Sequence, residues 1–352
     1  MRVITLGNDI VQDGVIVKAG KPHIWPGTGN KLKRSGAEIK SIKPIDSVWN
    51  QYNGEDVSGK SVLISRAGGH GDMVMLSPLI RQLKANGASR VALVSRPQYH
   101  DTIRCIPGLD SLGTVPFPTD LLAGFDYHLS FEGAIRGDTT GKYCSTLFAD
   151  LCGLTLDSEK SAFALPPNLV RQAKRFLEVE LGIERKIIAI HTEASATARG
   201  FLPGFLPGLC RALTANKYHV VLIGRDSQGV TGANITDLCG KFKSIAMYYA
   251  IVSETDLLIA PDSIMLHVAS ALDKKAIGLF GPFNGASRVI GDTVRHLDGV
   301  GDCKRWPCRT HDYGVCKLAK QTQVSFSPCM NHAVVDVASL AANMVSPLCL
   351  AR

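Results

Sequence analysis

Apolar positions from residue 58 onward fall into short unbroken runs, and between the runs they recur at spacings of three and four. The first kind of run is the mark of a strand buried on both faces, and the second is one face of a helix. SVLIS (61–65) reads as a strand, MVMLSPLIRQLKANG (73–87) as a helix, and RVALVSRP (90–97) and DYHLSF (126–131) as further strands. A second series begins after Pro166–Pro167, with a helix over 169–182 and a strand and loop over 186–195. A helix over 205–216, a strand over 218–226 and a helix over 244–256 come next. A strand over 257–263, a helix over 264–274 and a strand over 275–282 complete the series. Strands that alternate with helices imply parallel sheets joined by crossover helices. Two such series predict an α/β protein of two Rossmann-like, doubly wound domains, 58–165 and 166–352, facing a cleft. Residues 1–57 differ. Their short alternating runs (VITL, GVIVKAG) are broken by Gly, Pro and Asn, which predicts an N-terminal appendage with little helix.

In open α/β sheets, ligands bind beyond the carboxyl ends of the strands. His70 and Asp72 follow one predicted strand, Thr192 to Ser195 another, Gly224 to Asp226 a third, and Asp262–Ser263 a fourth. The stretch SRAGGHGDMVMLSP is the most pointed of these. Glycines after a strand let the backbone turn sharply and approach a ligand closely. Asp72 stands where a first-turn carboxylate would cap the helix, and capping alone explains an aspartate there. A carboxylate in such a place can equally take a proton from an attacking hydroxyl. The spacing is neither that of a P-loop, because no Lys-Ser/Thr follows Asp72, nor the G-x-G-x-x-G of dinucleotide enzymes. An NAD-dependent oxidoreductase is thereby disfavoured.

Charge narrows the partners. The chain has 352 residues, a net charge of +8 and a pI near 9, which favours anionic partners such as nucleotides, phosphorylated glycans or nucleic acid. No apolar run is long enough to suggest a membrane span, and MRVITLGNDIVQDG carries polar residues where a signal peptide needs an apolar stretch. The expectation is a cytoplasmic protein. Between Val15 and Ile45 stand Lys18, Lys21, Lys31, Lys33, Arg34, Lys40 and Lys43 against one acid, Glu38, with Trp25, Trp49 and Tyr52 nearby. This is either a solvated basic edge or a contact surface for an anionic acceptor.

Ten cysteines are present. Cys105, Cys144, Cys152, Cys210, Cys239 and Cys349 lie scattered and read as buried thiols. Cys303, Cys308, Cys316 and Cys329 follow a C-x4-C-x7-C-x12-C spacing with His311 and His332 close by. Four thiolates could close a structural zinc site. Reduced thiols pinning a loop, or a disulfide, explain the same spacing.

VLISRAGGHGDMVMLSPLIRQLK resembles the opening strand, loop and helix of glycosyltransferase family nine, the heptosyltransferases. IAIHTEASATARGFLPGFLPGLCRAL, VVLIGRD and ETDLLIAPDSIMLHVASALDKKAIGLFGP resemble later segments of that family, in the same order. The resemblance implies a GT-B fold and an inverting, metal-independent transfer of a sugar from a nucleotide-diphosphate donor, ADP-heptose-like by family default, with no cofactor required. It marks Asp72 as the base, with His70 beside it as a further candidate catalytic residue. It implies donor contacts from Gly69, Gly71, Thr192, Ser195, Arg199, Gly224, Asp262, Ser263 and His267. The chain departs from the family pattern at Thr192–Glu193, where Pro-Gly is common, and at Arg199, where Lys is common. It also departs at Phe201-Leu202-Pro203 and at Ile264. The acceptor implied is the hydroxyl of an anionic glycan. The basic appendage motivates an alternative, a hydroxymethylated base in DNA, reached by flipping. A non-catalytic protein binding nucleotide sugars or nucleic acid is the remaining alternative. Oligomeric state is left open.

Overall fold

The computed structural model describes residues 2–12, 15–25, 36–45, 49–132, 140–299, 306–308, 316, 319 and 327–345. The chain forms two compact units. One comprises Met1–Asp138 with Cys144–Ala162, and the other Thr139–Tyr143 with Phe163–Arg352.

The first unit opens with five strands, β1 (Arg2–Leu6), β2 (Ile10–Gln12), β3 (Val15–Val17), β4 (Pro22–Trp25) and β5 (Ile39–Pro44). It continues with β6 (Ser61–Ser65), α1 (His70–Met75), α2 (Ser77–Ala85), β7 (Arg90–Ser95), α3 (His100–Ile103) and β8 (Ser111–Thr114). The short β9 (Phe117–Pro118), β10 (Tyr127–Ser130) and α4 (Cys144–Asp150) complete it. Its parallel sheet has the order β10-β6-β7-β8. SVLIS and RVALVS are buried nearly throughout, as strands covered on both faces must be. The helix predicted over 73–87 starts earlier, at His70, and is two helices meeting at Leu76.

The N-terminal residues build an antiparallel sheet, β5-β1-β4-β9, and the β2–β3 hairpin. Strand β9 follows β8 in the chain and pairs antiparallel with β4. Val3 and Ile24 share one core with Leu63, Ala92, Val94 and Phe117. The aromatics of the appendage are interior residues: Trp49 belongs to that core, Trp25 to a second cluster with Ile4, Leu6, Ile10 and Val17, and Tyr52 is also buried. An aromatic contact surface over these residues is therefore corrected. The rings stabilise the fold by removing apolar area from water and present no stacking face to a ligand. Of the lysines there, Lys18 pairs with Asp9 at 2.8 Å, while Lys31, Lys33 and Arg34 lie outside the described residues.

The second unit runs α5 (Pro167–Arg175), β11 (Ile187–His191), α6 (Phe205–Ala215), β12 (His219–Ile223), β13 (Ile235–Asp237) and α7 (Ile245–Glu254). It ends with β14 (Leu257–Pro261), α8 (Ile264–Ala271), β15 (Ala276–Phe280), β16 (Val294–Asp298) and α9 (Val334–Val345). Its six strands are all parallel, in the order β13-β12-β11-β14-β15-β16. Counted from β11, this is the 3-2-1-4-5-6 order of the Rossmann fold. Leu209, Leu213, Val337 and Ala341, from α6 and α9, pack on Ile188, Ile190, Val220 and Leu222 of the sheet. Ser244 caps α7 by accepting from Ala246 N. None of the described helices is long and apolar enough to cross a membrane.

Candidate functional site

In each sheet the strand order reverses beside the first strand, between β6 and β10 in one unit and between β11 and β14 in the other. At such a switch point the connections diverge to opposite faces and leave a crevice at the carboxyl ends. The residues singled out from the sequence converge on these two places, each within its own unit.

In the first unit the chain leaves β6 through Arg66, Ala67 and the glycines. Gly69 has φ +71, and a Cβ there would run into the Asp72 carboxylate, so glycine is required on both counts. Helix α1 carries no side-chain cap. The Asp72 carboxylate is bonded instead by Arg66, whose Nη2 donates to Oδ2 while its Nη1 donates to the Phe131 carbonyl. Capping therefore does not account for Asp72. Its Oδ1 takes no hydrogen bond from any described residue, and its side chain is 20% exposed. Glu132, at the end of β10, accepts from Ala67 N, and burial pushes its carboxyl pKa up against the pull of Arg66. Gly71 lies in the first turn of α1. His70 turns to α3, where Nδ1 meets Thr102 Oγ1 at 2.7 Å and the ring stands edge-on to Tyr99. Burial lowers its pKa to about 4, so the ring is neutral at physiological pH.

In the second unit the corresponding crevice holds a buried charge cluster. Asp262, just past β14, accepts from Arg199 Nη1 at 2.9 Å, and the same nitrogen reaches the Asp262 carbonyl at 2.9 Å. Arg199 Nη2 donates to Ser195 Oγ. Arg288 Nε stands 3.9 Å from Asp262 Oδ2, its guanidinium over the Phe283 ring, and His267 Nε2 is 3.9 Å from Oδ1. Burial alone would raise the Asp262 pKa, but Arg199, Arg288 and His267 outweigh it and bring the pKa to about 2. Ser263 precedes α8 without capping it, and its hydroxyl meets His191 Nδ1 at 2.8 Å. Burial lowers the His191 pKa to about 4. Thr192 packs against Gly224, where a Cβ would strike its hydroxyl. Glu193, the residue that departs from the family pattern, accepts from Arg225 N at 2.9 Å.

Thus Ser195, Arg199, Asp262, Ser263 and His267 stand together in the second unit, with Thr192 and Gly224 at the neighbouring strand ends. Asp72, His70, Gly69 and Gly71 stand in the first. Sequence reasoning missed Arg66, Glu132, His191 and Arg288. Arg66 was the most legible of them, as the single cation inside the glycine bend. Cys303 lies outside the described residues. Among the described residues no three His, Cys, Asp or Glu side chains gather as a metal site. Cys308 is exposed, Cys316 half-buried and Cys329 buried.

Residues 142–289 match the model of glycosyltransferase family 9 (heptosyltransferase). That stretch of the chain is similar to the family 9 glycosyltransferases. The match takes in the whole Ser195–Arg199–Asp262 cluster and stops short of Asp72. No curated protein matches the chain in sequence. Solved structures extend the likeness to both units. A family 9 glycosyltransferase from Veillonella parvula superposes with TM-score 0.69 at 14% identity, over 83% of this chain and 99% of that one. The ADP-heptose lipopolysaccharide heptosyltransferase II of E. coli gives 0.62 at 13% identity, over 81% and 98%. TibC of E. coli, described as a dodecameric iron-containing heptosyltransferase and solved with ADP-D-β-D-heptose, gives 0.56 at 12% identity, over 97% and 91%. The chain shares the GT-B-type fold of these neighbours, each of its two units being built on a parallel α/β sheet.

Proposed function

We propose that this chain transfers a glycosyl group, with inversion and without a metal in the transfer step, from a nucleoside-diphosphate sugar to a hydroxyl of a glycan acceptor. The observation that carries the reading is the Ser195–Arg199–Asp262 chain at the switch point of the second sheet. Asp262 holds Arg199 in one orientation. The guanidinium can then meet the charge that grows on the leaving diphosphate without reorganising. Ser195 supplies a hydroxyl beside it, and Thr192, Gly224, Ser263 and His267 form the rest of the donor cradle.

Asp72 is the base in this reading. Arg66 pins Oδ2, and Oδ1 is left to accept the acceptor's proton. As the acceptor oxygen bonds to the anomeric carbon, its proton passes to Asp72, and the bond from that carbon to the diphosphate oxygen breaks with its electron pair. Gly69 and Gly71 keep the backbone around Asp72 free of side chains. His70, neutral and tied to Thr102, helps hold the bend. The buried aromatics of the appendage remove the support for a nucleic-acid acceptor. ADP-heptose is the donor to try first, because two of the structural neighbours are named for it.

A thermal-shift screen against nucleotide sugars tests the reading. A true donor at 100 times its Kd adds about 2.7 kcal/mol of stability. NMR of the product should then show the anomeric configuration opposite to the donor's. A retained configuration, or no stabilisation by any nucleotide sugar, sinks the proposal.

A further inference from the structure

Glu193 stands at the carboxyl end of β11, next to the end of β12. Its Oε1 accepts from Arg225 N at 2.9 Å, and Arg225 Nε lies 3.9 Å away on the same oxygen. The side chain is thereby fixed on the β12 side. Oε2 takes no hydrogen bond from any described residue, and the side chain is 28% exposed. A carboxylate beside a diphosphate would be repelled by it, so its natural ligand is a hydrogen-bond donor. In a Rossmann sheet the crevice at the end of the first strand takes the phosphates, and a carboxylate near the end of the second takes the ribose hydroxyls. The same division holds here: Ser195 and Arg199 lie toward β14, and Glu193 is tied to the β12 loop.

We propose that Glu193 binds the ribose of the donor nucleotide, its free oxygen accepting from a sugar hydroxyl. The assignment rests on the donor-site reading above and narrows it to ribonucleotides. The rival carboxylate, Asp226, is exposed, and no described residue hydrogen-bonds its side chain. It would have to be ordered on binding, whereas Glu193 is already held.

Calorimetric titration of the full chain tests this without knowing the sugar. The probes are ADP, GDP, UDP and CDP, the 2′-deoxy form of whichever binds tightest, and inorganic pyrophosphate. The wild type should bind the ribonucleotide at least about tenfold tighter than its deoxy form. Glu193→Ala should lose about tenfold or more for the ribonucleotide, erase the preference over the deoxy form, and leave pyrophosphate affinity unchanged. Glu193→Gln keeps an acceptor for Arg225 N, and should show the same loss to a smaller degree if the alanine variant does not fold. Equal losses for pyrophosphate and nucleotide overturn the assignment. So does full nucleotide affinity in the Glu193 variants, or a loss confined to Asp226→Asn. Failure of the wild type to bind any nucleotide or pyrophosphate overturns the donor-site reading itself, and the ribose assignment with it.

Discussion

One nitrogen of Arg199 bonds both the carboxylate and the carbonyl of Asp262, at 2.9 Å each. The contact ties the turn after β11 to the end of β14, across the point where the strand order reverses. Asp262 is buried, with only 4% of its side chain exposed, and Arg199 is half-buried. Removing one partner of a buried pair leaves the other charge desolvated and uncompensated.

Asp262→Asn should therefore lower unfolding free energy by about 3–5 kcal/mol, read from urea midpoints at neutral pH. The pH dependence has a definite sign. A carboxyl whose pKa is about 2 folded against 3.8 ordinarily contributes stability that is present above pH 4 and lost as pH falls through 2. Urea midpoints taken between those limits should fall more steeply in the wild type than in Asp262→Asn. Parallel curves would mean that Asp262 is not held ionised.

His191 acts over a different window. Its pKa falls from 6.5 to about 4 on burial, so the unfolded chain binds the proton more tightly and stability declines as pH drops from 6.5 toward 4. The full difference is of the order of 3 kcal/mol. The His70 pKa is lowered to the same value and acts over the same window, so His191→Asn should make that part of the profile shallower without abolishing it, measured by denaturation at stepped pH.

Asp72→Asn should cut turnover by about 10²–10⁴-fold at a temperature where the variant is folded, and should also lower the melting temperature, because the buried Arg66 loses its counter-charge. The amide can still accept from Arg66 through its oxygen, but it cannot take up a proton. Turnover close to wild type would exclude Asp72 as the base.

Gly69→Ala meets two obstacles, a positive φ and the Asp72 carboxylate. The strain costs about 1–3 kcal/mol, and any relief must shift Asp72. A lower melting temperature together with slower transfer is the expected result. A loss of stability with unchanged transfer would show that the bend need not be exact for catalysis.

Transfer should proceed unchanged in excess EDTA, since Arg199 supplies the positive charge that a metal supplies elsewhere. A rate that collapses while the melting temperature holds would overturn metal independence.

Much of this architecture could be read from the chain. Runs such as SVLIS, IIAIH and LLIAP are too apolar and too short for anything but strands buried on both faces, and the helices between them force parallel pairing. The glycine bend with Asp72 and the Asp262–Ser263 end were visible because strand-to-helix junctions are where α/β sheets bind ligands. Strands β8, β13 and β16 were not anticipated, because edge strands of three to five residues leave no strong apolar run.

What the sequence settled by itself was the alternation of elements, because apolar periodicity depends only on neighbours along the chain. Which partner each charge would find was decided by tertiary structure alone. Arg66 and Phe131 are 65 positions apart, and Arg199 and Asp262 are 63 apart. Only strand order brings such residues together. Burial then makes the Arg199–Asp262 pairing obligatory, because a desolvated charge without its counter-ion costs more than the fold can spare.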